Sequence, residues 1–266
     1  MDETIPKHSL AIRMGYWSSI VILVSGVGLI GGIFASSVLL PTTLTTEWSG
    51  IEPFADAYRA NGGIITSLSF LPALVSCPAY VIQVGCIHHV EMSSSRKWAK
   101  FGLGFAVMFA ALAGLNYAVQ LSIVRTQILG GQTEGLDWLV FQNPGSLMLA
   151  IDFVGWFFLG LAFLSVVPLF SGNRLNRSIR YLLSTIAVLG VVLLVGLVTG
   201  NSAVGLVFLT TMSALLACTD ILILVFFRRL LRAQVASNAP SPRCMVVGDS
   251  DDASAPMSRF RCGATR

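Results

Sequence analysis

Six long stretches of the chain consist almost entirely of apolar side chains, and shorter polar segments separate them. Each is close to the ~20 residues that an α-helix needs to cross a bilayer core of about 30 Å. Only Arg180, at the edge of the fifth stretch, brings a basic residue into them. Because unpaired backbone cannot cross lipid and no alternating strand pattern is present, the pattern predicts helices. The predicted spans lie near residues 17–40, 64–87, 101–124, 147–170, 180–199 and 204–227.

The composition supports this prediction of an all-α fold, a polytopic membrane protein built as a bundle of six transmembrane helices. The chain has 266 residues, of which 55% are hydrophobic and 11% charged, and its mean hydropathy is +0.77. Soluble domains carry roughly 25% charged residues, so a soluble domain, a disordered chain and a nucleic-acid binder are all disfavoured. The five cysteines have no C-x-x-C spacing, and phosphate loops, nucleophile elbows and zinc-protease motifs are missing from the sequence. We therefore expect no cofactor and no metal.

The basic residues are distributed unevenly between the two sides of the predicted bundle. Fifteen of the seventeen lie in the amino-terminal segment, the second and fourth loops and the carboxy-terminal tail, whereas the opposite side has only Arg59 and Arg125. The positive-inside bias then places both termini in the cytoplasm. We expect a cytoplasmic segment over 1–16, the membrane domain over 17–227 and a mostly disordered basic tail over 228–266. The membrane would be the endoplasmic reticulum in a eukaryote and the plasma membrane in a bacterium, and the oligomeric state stays open.

The loop before the second span predicts a short helix on the non-cytoplasmic side. Ser49 precedes Glu52 by three residues, as in a capping box, and the run at 61–63, Asn-Gly-Gly, would end the helix. Its apolar positions, Ile51, Phe54, Ala55 and Tyr58, share one face, as an interfacial helix requires.

The loop before the fourth span predicts a second short interfacial helix. Thr133 would cap it, and the helix would carry Glu134, Asp137 and Trp138 before the run Asn-Pro-Gly-Ser at 143–146 breaks the chain. Two interpretations stay open for this pair of loops. They cover the mouth of the bundle, or they are two ordinary interfacial helices that anchor at the lipid headgroups.

Two acidic residues, Asp152 and Asp220, lie inside predicted spans. An ionisable side chain within a membrane costs at least about 2.5 kcal/mol and is a functional candidate by default. At 1.5 Å per residue, Asp152 lies roughly 8 Å and Asp220 roughly 24 Å from the non-cytoplasmic side. The two carboxyl groups are therefore expected to lie too far apart for one dyad, and each needs its own partners.

Asp152 has expected partners in the third span, where Asn116, Tyr117 and Gln120 reach a comparable depth. Asn116 and Gln120 are four residues apart, hence on one helix face, and Trp156 follows Asp152 by one turn. Burial would favour the neutral form of this acid, and the nearby Arg125 cation would oppose that preference. The cluster is either the site of a lipophilic substrate or a hydrogen-bond network that only packs helices.

Asp220 has two expected partners of its own, Tyr80 and Gln83, on a second span that Pro72 and Pro78 would kink. These three polar residues would form a second polar layer, for which an interface role is the simpler interpretation.

The second span ends in the run His88-His89-x-Glu91, whose atoms could ligate a metal. Adjacent histidines on a helix point about 100° apart, however, so they rarely bind one ion. We therefore predict no metal site here.

Four short motifs give the chain a family resemblance. It resembles small integral membrane proteins of bacteria and fungi over roughly residues 100–170, a family that is mostly uncharacterised. The motifs are the run NYxxQ at 116–120, EGL at 134–136, NP at 143–144 and AxDxxGW at 150–156.

The chain is also similar to the membrane-bound terpene cyclases of fungal meroterpenoid pathways. The similarity lies in its size, in a sequence made up mainly of membrane-spanning helices, and in isolated acidic residues inside the membrane. Those enzymes use acidic side chains to protonate an epoxide or alkene on a farnesylated substrate, and they typically have seven spans rather than six. This resemblance implies a cyclase or isomerase with a prenylated or terpenoid substrate.

Three function classes follow from these patterns. The first is an acid–base enzyme in which Asp152 is the general acid for a lipophilic substrate, with membrane lipid and that small molecule as partners and no nucleic acid. In this hypothesis Asn116, Tyr117, Gln120 and Trp156, with Glu134 and Trp138 from the covering loop, bind the substrate. The second is a proton- or cation-coupled transporter with the two acids as stations, and the third is a scaffold whose polar groups only hold helices together.

Overall fold

The computed structural model describes residues 7–39, 48–90, 96–199 and 202–238, and within these ranges the chain forms helices and no strand. A π-helical segment covers Gln120–Val124, and short 3₁₀ turns cover Leu136–Trp138 and Val167–Leu169. The α-helices are α1 (Lys7–Leu39), α2 (Ile51–Ala60), α3 (Ile64–Val90), α4 (Arg96–Val119), α5 (Arg125–Leu129), α6 (Leu147–Val166), α7 (Arg174–Thr199) and α8 (Ser202–Asn238).

Five helical segments in the described part of the chain are long and apolar enough to cross a membrane. They confirm the all-helical fold with membrane-spanning lengths, and they correspond to the first five predicted spans. The sixth predicted span falls on α8, where side chains are described from Thr211 onward. The five segments are Ser9–Gly32, Ser67–Val90, Lys100–Leu129, Leu147–Leu169 and Arg174–Thr199.

The long helices pack in a closed ring. α1 contacts α3, and the ring then continues through α4, α6 and α7 to α8, which returns to contact α1. Its interior is filled by large side chains with almost no exposure, among them Phe109, Leu159 and Phe163. The first and last long helices thus share one seam.

Small residues bring the helix axes close together at several of these contacts. A side chain at Gly32 of α1 would meet the backbone of Ser69 on α3 at 2.8 Å, and one at Gly28 would meet Pro72 at 2.9 Å. Because lipid supplies no hydrophobic force between helices, close packing of this kind is what holds them together. Gly15, near the start of α1, packs in the same way against the Phe227 ring of α8.

The ends of the first and last helices extend past the predicted spans. α1 begins at Lys7 rather than at residue 17, and α8 continues to Asn238 rather than ending at residue 227. The added α8 turns contain Arg, Leu and Ala, which are strong helix formers, and Arg228, Arg229 and Arg232 are exposed. The tail that was predicted to be mostly disordered begins at residue 228. Its residues from 239 onward lie outside the described part of the chain.

The predicted capping box at the start of α2 is wrong. Gly50 is the N-cap residue, at φ 106°, and α2 has no side-chain cap. This backbone conformation favours glycine, so the chain enters the helix through Gly50 rather than through the Ser49 hydroxyl. The helix ends as predicted, because Gly62 and Gly63 follow with φ 59° and 65°.

The apolar face of α2 packs against protein. Phe54, Ala55 and Tyr58 are buried in one cluster with Ile128 and Leu136 of the loop before α6. The loop that contains α2 and the loop before α6 therefore form a common cap with a small core of its own.

Thr133 does not cap a helix, which corrects the second loop prediction. The 3₁₀ turn at Leu136–Trp138 follows Gly135, at φ 74°, and has no side-chain cap. The Thr133 hydroxyl instead donates to a Glu52 carboxylate oxygen at 2.6 Å and joins the two loops.

Candidate functional site

The residues predicted around Asp152 meet in the structure. The Asn116 amide on α4 donates to Oδ1 of Asp152 at 3.2 Å, and the Trp156 indole N–H donates to Oδ2 at 2.9 Å. Tyr117, which is also buried, lies close to this carboxyl group. Asp152 is only 2% exposed, so these partners surround it. α4 and α6 approach closely here because Gly155 faces the Ala113 backbone.

Gln120 connects this cluster to the cap. Its amide donates to Oδ1 of Asn116 at 3.4 Å and to the Leu139 carbonyl at 2.5 Å, and its oxygen accepts from the Phe141 N–H at 3.3 Å. Gln120 is also the first residue of the π-helical segment. Such a widened turn is frequent at functional sites. Here it coincides with the side chain that holds the covering loop.

Three residues expected near Asp152 lie elsewhere. Glu134 is exposed in the cap, and Trp138 is 67% exposed, so the structure places neither in the cluster. Arg125 lies beside Tyr58 in the cap. Burial raises the pKa of the Tyr58 phenol above its ordinary value of 10.0, and the Arg125 charge opposes that rise.

Asp220 on α8 forms the second polar cluster with the expected partners. The Tyr80 hydroxyl donates to its Oδ2 at 3.1 Å, and the Gln83 amide donates to its Oδ1 at 3.2 Å. Gln83 also donates to the Ser19 hydroxyl at 3.1 Å, which brings α1 into the site. Sequence reasoning missed Ser19. A serine in a long apolar span was the available signal, but nothing in the sequence pairs α1 with α3 and α8.

A cavity of about 190 Å³ lies between α1, α3, α6 and α8. Its walls are mainly apolar, and Asp220 supplies the carboxyl group among its lining residues. Tyr80 and Trp156 line it as well, whereas Asp152 does not. The described cavity reaches Asp220 directly and Asp152 only through the Trp156 indole.

The cavity extends to the outer surface of the bundle. Val27, Ile30 and Ile221 all line it, and they are 73%, 46% and 50% exposed. In a membrane protein, apolar side chains on the outside of the bundle face the lipid tails. The exposed lining residues belong to α1 and α8, so the cavity reaches the outer surface of the bundle between these two helices.

Aromatic rings connect the two acid clusters. The ring centroids of Trp156 and Phe109 are 5.2 Å apart, and those of Phe109 and Tyr80 are 5.7 Å apart in an edge-to-face arrangement. Asp152 binds the first of these rings and Asp220 binds the last. Asp152 and Asp220, which were expected to lie at separate depths, therefore bind the two ends of one row of aromatic rings.

Within the described residues, no group of three or more His, Cys, Asp or Glu side chains is placed to hold a metal ion. Glu91, from the considered histidine motif, lies outside that part of the chain. Comparison with known protein families, with curated proteins and with solved structures found no match to this chain. The resemblances drawn from the sequence therefore remain predictions.

Proposed function

We propose that the protein is an integral-membrane acid–base enzyme that acts on a lipophilic substrate in the cavity between α1, α3, α6 and α8. The observation that carries the proposal is the Asp220 carboxyl group on the wall of a mainly apolar cavity that opens toward lipid. This assigns the role of general acid to Asp220, in place of Asp152, because Asp220 lines the cavity.

The cavity suits a hydrocarbon substrate in volume and surroundings. Apolar cavities of about 150 Å³ hold a molecule of benzene size, so this one would accept a small apolar molecule or part of a longer chain. A prenylated or terpenoid substrate, as the cyclase resemblance implies, would enter from the bilayer between α1 and α8. Membrane lipid is then the second partner.

The chemistry would be proton transfer from Asp220 to an epoxide, alkene or carbonyl group. Burial of an isolated carboxylate is costly, so the apolar surroundings of Asp220 favour the proton-bearing acid. The Tyr80 and Gln83 donors oppose this preference, but both are neutral groups. After transfer, the Tyr80 and Gln83 donors would stabilise the carboxylate that remains. The indole face of Trp156 would stabilise positive charge that develops on the substrate.

The proposal includes the finer topology. α8 would be the sixth span, and the exposed arginines at its end, with those at the start of α7, would face the cytoplasm. Both termini are then cytoplasmic, and the cap of α2 and the loop before α6 lies on the opposite side.

Two observations favour an enzyme over a transporter. The described cavity reaches Asp220 without extending to Asp152, so it offers no route that joins the acids. In addition, α3 runs unbroken from Ile64 to Val90 through Pro72 and Pro78, whereas transporters commonly use interrupted helices at their sites.

The test is turnover of Asp220→Asn in membranes supplied with prenylated epoxides and alkenes, with products followed by mass spectrometry. Asn keeps the shape and one of the two acceptor oxygens but has no acidic proton, so turnover should fall at least about 10²-fold. A second pair of variants tests the cavity. Gly26→Leu should block it, because Gly26 lines the cavity and a Cβ there meets no atom within 4 Å.

Gly31→Leu is the matched control, because Gly31 is exposed on the same helix and a Cβ there also meets nothing within 4 Å. Unchanged turnover in Asp220→Asn, at equal amounts of inserted protein, would show that Asp220 is not the acid. Equal turnover in the two glycine variants would show that the substrate does not use this cavity.

A further inference from the structure

We infer that Asp152 is a positioning residue: it holds the Trp156 indole as one wall of the cavity and thereby determines which hydrocarbons the cavity accepts. The inference rests on the proposed function for its enzymatic meaning. Its geometric part, a ligand-binding wall set by a buried acid, can be tested separately from turnover.

The first step is the way in which the indole is fixed to α6. Asp152 and Trp156 are one helical turn apart, and the indole N–H donates to Oδ2 at 2.9 Å. The other oxygen accepts from Asn116 on the neighbouring helix at 3.2 Å. A buried indole N–H usually requires such a partner, and a carboxyl group held from two helices is a rigid one. The orientation of the ring therefore depends on Asp152.

The second step is the position of that ring. Trp156 lines the cavity, and its other side packs on Phe109, with ring centroids 5.2 Å apart. Behind it, a Cβ at Gly190 of α7 would lie 3.5 Å from the Trp156 carbonyl oxygen, so the helix backbone has little space to withdraw. Loss of the Asp152 acceptor would therefore be relieved by turning the indole, which changes the shape of the cavity wall.

The third step concerns the ligand. The cavity presents aliphatic side chains from α1 and α8, among them Leu29 and Leu216, and the aromatic side chain of Trp156 from α6. Aromatic faces attract positive charge and pack well against flat groups. The chemical class that fits is an unsaturated hydrocarbon, whose planar alkene lies against the indole and whose reacting carbon lies toward Asp220.

The experiment uses the full chain in liposomes, with the other four tryptophans changed to Phe so that fluorescence reports on Trp156 alone. The probe is a brominated ten-carbon alkene, which quenches the indole on contact. Asp152→Leu removes the acceptor, and the probe concentration for half-quenching should rise about five- to tenfold. Asp152→Asn keeps an acceptor oxygen for the indole and should stay within about twofold.

The cavity-filling Gly26→Leu should abolish saturable quenching, and Gly31→Leu should leave it intact. If Asp152→Leu does not fold, Asp152→Ala makes the same test with a smaller change of shape. Equal half-quenching in the Leu or Ala variant and in the parent would overturn the inference, as would an Asn variant as weak as Leu.

Turnover separates this inference from the proposed function. Asp152→Asn should keep its rate to within about threefold, because a positioning residue needs the acceptor and not the proton. A loss of about 10²-fold in this variant with normal quenching would make Asp152 a general acid and overturn the positioning role. Unchanged turnover in Asp220→Asn with the expected quenching would refute the role of Asp220 as the acid, whereas the positioning role of Asp152 would still be supported.

Discussion

The contact between α1 and α3 can be tested by adding a single methyl group at Gly32. A Cβ at this position would lie 2.3 Å from the Ser69 hydroxyl oxygen and 2.8 Å from both the Cα and the amide nitrogen of Ser69. A rotamer change of Ser69 can move the hydroxyl but not the two backbone atoms. Since carbon atoms pack best at about 3.5–4.0 Å, Gly32→Ala should push the two helices apart by roughly 1 Å.

The expected cost follows from the behaviour of overpacked interiors, where an extra carbon typically costs about 1–3 kcal/mol. Alanine also gains up to about 1 kcal/mol over glycine as a helix former. Gly31→Ala isolates the packing cost, because it makes the same gain in the same helix and its Cβ would meet nothing within 4 Å. The difference in the free energy of unfolding between the two variants should therefore be about 1–3 kcal/mol.

The assay is thermal unfolding of the purified variants in one detergent, followed by circular dichroism. At about 2–4 °C per kcal/mol for a chain of this size, Gly32→Ala should melt roughly 2–12 °C below Gly31→Ala. Equal melting temperatures would refute the close approach of α1 and α3. A matching rise in both variants would show that only helix propensity acts at the two positions.

Two further predictions concern the topology and the cap. Reporter tags at either terminus should be cytoplasmic and glycan acceptors placed in the 41–63 loop should be modified, because fifteen of seventeen basic residues lie on one side; termini on opposite faces would refute the six-span topology. Burial raises the folded-state pKa of Tyr58 above 10.0, so its contribution to stability should be complete below that pH and be lost as pH rises further. Melting curves should then show a smaller alkaline loss in Tyr58→Phe than in the parent, and equal losses would contradict this.

The parts of the fold that were predictable are those that depend on local pattern. Long apolar runs give the spans, because a lipid-embedded helix needs little else. The contact of Asp152 with Asn116 was also accessible, since a buried acid requires a donor at its own depth and the third span offers one on a suitable face. The same reasoning found Tyr80 and Gln83 for Asp220.

The cavity was not predictable, because it depends on contacts between distant segments. Nothing local to α1 or α8 indicates that Gly15 packs on Phe227 or that residues of both helices line one cavity. The prediction of the two helix caps was wrong at single residues. Ser49 and Thr133 have the right spacing for caps, but glycines at positive φ begin both turns, and Thr133 bonds to Glu52 across the cap instead.

The seam between α1 and α8 has a consequence for biosynthesis. The cavity walls include Ser25 and Asp220, which lie roughly 200 residues apart, so about 10–40 s of translation separate their appearance at ordinary rates. Until α8 has been inserted, the buried polar groups of α1 and α3 have no acid to bind and the ring stays open. Gln83 precedes Asp220 by about 140 residues, so in a ribosome-bound chain it would lack its acid partner for roughly 7–27 s and have only the Ser19 hydroxyl. Membrane chaperones that shield polar helix faces would have their greatest effect in this interval.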